Sequence, residues 1–111
     1  MALRNETRGV VLAARPEVAR GALARARGLA GRRCLRPDEA LVLAPCASIH
    51  SFGMRFSIDA LFLDGDGTCL AVARGLRPGR VGPLVPGARA VVELRAGAAG
   101  PTEVGDRIRW A

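Results

Sequence analysis

The chain contains no lysine and no tyrosine, and it has one histidine in 111 residues. A lone histidine makes a structural zinc site hard to assemble, because zinc takes three or four thiolate or imidazole ligands at workable spacing. The cysteines Cys34, Cys46 and Cys69 are odd in number and form no Cys-x-x-Cys pair. That excludes a disulfide framework and favours free thiols in a reducing compartment. No apolar run reaches the about 18 residues that a membrane-spanning helix needs. The opening "MALRNETRGVVLAARPE" lacks the continuous apolar core of a signal peptide, since Arg15 and Pro16 interrupt it. These absences predict a soluble, cytoplasmic protein with no membrane partner, no metal and no cofactor.

What is abundant is arginine. All 17 basic residues are Arg, and the net charge is +7. Such a surface can attract phosphate backbones. The arginines are nevertheless dispersed, and the densest group, Arg20, Arg25, Arg27, Arg32, Arg33 and Arg36, has no aromatic residue within it. Single-strand binders interleave basic and aromatic side chains. A solvated, arginine-coated surface is the simpler reading, and nucleic acid is not the expected partner.

The length suits one domain, residues 1–111, and a domain of this size buries roughly two thirds of its unfolded surface. "GVVLAA" (9–14) reads as a first strand. Pro16 then fits the first turn of a helix running to a stop at Gly31, with Val18, Ala22 and Ala26 on one face. "ALVLAP" (40–45) is a strand ended by Pro45, and "FSIDALFLD" (56–64) is another. Its alternation places Phe56, Ile58, Ala60 and Phe62 on one side and Asp59, Leu61 and Leu63 on the other. "DGDG" (64–67) makes a tight turn into the antiparallel return "TCLAVARGL" (68–76). A Pro/Gly loop (77–89) leads to strands at 89–97 and 105–110. The predicted fold is mainly β: a compact single-domain β-sandwich or squashed barrel with one N-terminal helix.

The rare side chains gather in "PCASIHSFGMRFSIDALFLDGDG" (45–67), which holds the one histidine, one of the two methionines and all three phenylalanines. Asp59 stands between Ile58 and Ala60, where an unpartnered carboxylate would be costly. It needs Arg55, His50, backbone N–H groups or a ligand. Gly53 permits a bend that folds Phe52 and Met54 inward. The residues so assembled, Ser48, His50, Phe52, Met54, Arg55 and Asp59, with Arg80 from the Pro/Gly loop, define a candidate pocket for a small, partly anionic molecule held by Arg55. Two alternatives stand beside it. One is a hydrolase-like enzyme using His50 with Cys46, Ser48 or Asp59; the other is a basic nucleic-acid binder. No oligomeric state follows from the sequence.

The segment "SIHSFGMRFSIDALFLDGDG" resembles the central signature of the family named domain of unknown function 192, of bacteria and archaea. The likeness extends to "RARGLAGRRCLRPDEALVL" (25–43), "GLRPGR" (75–80), "AVVELRAG" (90–97) and "VGDRIRW" (104–110). It implies a small, mainly β domain with a helix near its N-terminus, and it assigns no catalytic residue. Two positions depart from the family pattern. Ser57 stands where a proline is usual, and Gly79 where an aromatic is common. If that aromatic closes a pocket, the pocket here is more open.

Overall fold

Strands form where apolar residues meet a second strand on one or both edges, and eight do so among the described residues, 1–19 and 21–110 of a computed structural model. They are β1 (Leu3–Asn5), β2 (Val10–Ala13), β3 (Arg15–Ala19), β4 (Glu39–Leu43), β5 (Ile58–Leu63), β6 (Cys69–Leu76), β7 (Ala90–Arg95) and β8 (Ile108–Trp110), with one helix, α1 (Gly21–Arg27), after β3. Arg20, counted above in the basic cluster and in the predicted helix, lies outside the described residues, as does Ala111.

Two sheets result, ordered β2-β1-β8 and β3-β4-β7-β5-β6. The larger is antiparallel except for the parallel β3–β4 edge. Its central strands are covered on both faces. Val42, Leu61, Leu63, Val92 and Leu94 pack against Leu3, Leu12 and Ile108 of the small sheet. On the other face, Leu41, Leu43, Ile58, Ala60, Phe62 and Val91 meet Leu29, Leu35, Ile49 and Met54. The expected mainly β architecture is therefore present as a two-sheet sandwich whose outer face is covered by α1 and the segments around it. The hairpin expected at residues 56–76 is β5–β6, and Asp64 shapes its turn by accepting hydrogen bonds from the Asp66 and Thr68 amides, each at 2.9 Å.

The N-terminal third departs from expectation. Residues 15–19 form β3, not the first turn of a helix, pairing from Arg15↔Glu39 to Ala19↔Leu43. Proline costs little on an edge strand, where one side of the backbone lacks a partner, and burial of Pro16 and Ala19 outweighs weak helical propensity. The helix is seven residues long and buries none of its own side chains. It ends at Gly28, φ +55°, ahead of the expected stop at Gly31. Strand β1 has three residues, too few for a periodic signal.

A buried polar cluster ties the chain's two ends. Asn5 donates to Thr102 Oγ1 (3.1 Å) and Asp106 Oδ2 (2.9 Å). The same Asp106 oxygen accepts from Arg8 Nε (2.6 Å) and the Glu103 amide (3.0 Å). The Arg8 guanidinium, with Asn5 and the Glu103 amide, holds the Asp106 carboxyl down to about 2 from an ordinary 3.8. A depressed carboxyl contributes stability above its unfolded pKa and loses it as pH falls through the folded one. Acid titration monitored by circular dichroism should show stability declining from about pH 4 towards pH 2, and Asp106→Asn should flatten the curve in that window.

Candidate functional site

The segment after β4 is held by the Pro/Gly loop, which fixes where its side chains point. Ser51 is fully buried. Its amide donates to Arg80 O (2.7 Å), while its hydroxyl accepts from the Arg80 amide (2.8 Å) and donates to Arg77 O. Gly82 N donates to Ile49 O at 2.7 Å. Gly53, φ +77°, then turns the chain so that Met54 enters the core, as its sequence context suggests. Phe52 does not fold inward. It is 53% exposed and stacks on His50 with ring centroids 5.6 Å apart.

His50 is tied to backbone at both ring nitrogens. Nδ1 accepts from the Phe52 amide (3.2 Å), so the neutral ring carries its proton on Nε2, which donates to Ala26 O at 2.8 Å. The imidazole thus tethers α1 above the sheet. Cys46 Sγ donates to Ser48 O (2.9 Å), and burial pushes its thiol pKa up. Neither residue is arranged as a base–nucleophile pair.

Asp59 stands elsewhere. Period two places it on the Leu61 and Leu63 face, opposite the face that carries His50's segment. Its carboxylate accepts from the amides of Gly75 (2.9 Å), Gly97 (2.9 Å) and Ala99 (3.1 Å). The expected grouping of Asp59 with His50 and Arg55 is therefore not formed; backbone amides, one of the partners considered, hold it instead. Arg55 is exposed at the bend, and Arg80 lines a separate groove with Arg74 and Arg77.

What the fold does bring together is Ser48, His50 and Cys46 with Glu93, in a cleft of about 300 Å³. Its floor is sheet: Leu43 and Glu93, with Ile49 beside them. Arg25, Arg27 and Gly28 from α1 and its end form the opposite wall. Glu93 is 1% exposed, and its Oε1 is a buried side-chain oxygen with no hydrogen-bond partner among the described residues. A Cβ on Gly28 would lie 2.8 Å from that oxygen, so Gly28 packs directly over it and a side chain there would push the carboxyl aside. Burial raises the Glu93 carboxyl to about 7, opposed by Arg32. A larger hollow of about 720 Å³ between α1 and β3 reaches no such unpaired atom.

Glu93 was missed from the sequence, although the signal that singled out Asp59 was present there too: a carboxylate flanked by Val91, Val92 and Leu94 in mid-strand. Arginines of the basic cluster are engaged within the chain, Arg27 with Ala30 O and Arg32 with Glu17.

These features define a two-sheet β domain with an acid-floored cleft beneath a tethered helix. The chain belongs to the domain of unknown function 192 family (DUF192, an uncharacterized ACR), whose profile matches residues 3–110. Among solved structures it is similar to a protein of unknown function from Novosphingobium aromaticivorans, with 25% identity, a TM-score of 0.77, and coverage of 86% of this chain and 74% of that one. It is also similar to a protein from Sinorhizobium meliloti described as a candidate transcription regulator, with 24% identity, a TM-score of 0.73, and coverage of 85% and 79%. The second likeness speaks to the fold alone. No curated protein matches.

Two stability measurements probe the carboxylates. Asp59→Ala strips a charged acceptor from three amides and should cost about 3 kcal/mol or more in urea unfolding. For Glu93, the folded pKa lies above the ordinary 4.5. Wild-type stability should therefore fall as pH rises from 4.5 to about 7 and stay low above that. Glu93→Gln should remove this slope, gaining on the order of 3 kcal/mol relative to wild type at pH 8 compared with pH 4.5.

Proposed function

We propose that this chain is a small-ligand-binding β domain whose polar-edged cleft lies between α1 and residues 46–50. One observation carries the reading: Glu93 Oε1 is buried at the cleft floor with no partner. An unpaired buried acceptor costs free energy in the empty protein, and a ligand that donates a hydrogen bond removes that cost. Rim arginines Arg25 and Arg27 supply the positive edge for a partly anionic molecule, the role first assigned to Arg55 and Arg80. Ser48 and His50 remain as edge residues, with Phe52 and Met54 supporting them from outside the cleft and from the core.

A thermal-shift panel of small amines, amides and polyols, with and without an acidic group, tests this. A binder at a hundredfold excess over its Kd stabilises the fold by about 2.7 kcal/mol. At least one class should raise the Tm of wild type, and the shift should be lost in Glu93→Leu, which removes the acceptor oxygens. No shift with any compound, or equal shifts in both proteins, would overturn the proposal.

A further inference from the structure

The cleft is dipolar. Its floor carries the Glu93 carboxyl and its wall carries Arg25, whose guanidinium forms no ion pair with the described residues. The Cys46 thiol lies within electrostatic reach of both: after burial and its bond to Ser48 O, Glu93 raises its pKa and Arg25 lowers it. Apolar surface from Leu43, Ile49 and Val81 completes the lining. An anion alone would meet the Glu93 carboxyl, and a cation alone would meet Arg25 and Arg27. A neutral donor would satisfy Oε1 and leave Arg25 without a counter-charge. The volume, about 300 Å³, lies at the small end of ligand sites.

We propose that the cleft takes a small zwitterion of the amino-acid class, its ammonium on Glu93 Oε1, its carboxylate on Arg25 and its short apolar body against Leu43, Ile49 and Val81. This rests on the binding reading above. An ammonium at Glu93 supplies both the missing donor and the missing counter-charge, and charge-assisted hydrogen bonds are the stronger kind.

Titration calorimetry on the full chain at pH 8 separates the parts, using L-valine, its two halves isobutylamine and 3-methylbutanoate, and neutral isobutyramide. L-valine should bind about tenfold or more tighter than either half. Glu93→Gln should weaken valine by about the same factor and leave 3-methylbutanoate no weaker. Arg25→Gln should weaken valine and spare isobutylamine. Circular dichroism melts confirm that both variants fold. Valine binding no tighter than its halves, or indifferent to both substitutions, overturns the zwitterion. Glu93-dependent binding of isobutylamine or isobutyramide without a preference for valine refutes the zwitterion and keeps the binding cleft. Silence of all four probes refutes the zwitterion and leaves the cleft to be decided by the wider thermal-shift panel.

Discussion

The central sheet is covered on both faces, and this governs every polar group placed in it. In β5 and β7 each side chain between the strand ends faces one of two apolar layers, so any carboxylate there is taken out of water. Taking a charge out of water costs several kcal/mol unless hydrogen bonds replace the lost hydration. The sheet holds two such groups, Asp59 and Glu93, and handles them differently. Asp59 meets three backbone amides on the face towards the small sheet. Glu93 points to the other face, opposite Leu41 and Ala60 in register, and finds no donor for Oε1.

On that second face the layer over Glu93 includes the end of α1. Helix α1 buries no side chain of its own. It is held by Leu29 beyond its end, by the bond from Gly31 N to Gly53 O (2.9 Å), and by His50. A helix attached at a few points leaves space beneath it, and the space lies over Glu93. The rare residues of the 45–54 segment are thereby explained in two groups. Ser51, Gly53 and Met54 build the support. Cys46, Ser48 and His50 line the opening.

The arginine excess also divides by place. Arg8 and Arg74 are bound to neighbouring backbone or carboxylate groups, and Arg15 and Arg32 pair with Asp38 and Glu17. Arg25 is set apart because it sits half-buried at the cleft wall. Composition alone cannot separate these roles, since all read as the same residue type in a dispersed pattern.

Local chemistry made much of the fold legible in advance. Alternation in "SIDALFLD" is a property of strand geometry, so the two faces of β5 followed from the residues. So did the Asp64 turn, the hairpin and the bend at Gly53. The family likeness followed from the order of the motifs. Tertiary structure decided the rest. Pairing with β4 drew Pro16 and its neighbours into an edge strand against their helical reading, because a sheet edge supplies hydrogen bonds that a short, glycine-flanked helix cannot match. Which of two mid-strand carboxylates would meet donors was equally invisible, since the amides of Gly75, Gly97 and Ala99 are distant in sequence from Asp59 and none of them faces Glu93. Partnership across a sheet depends on long-range packing, and no local pattern encodes it.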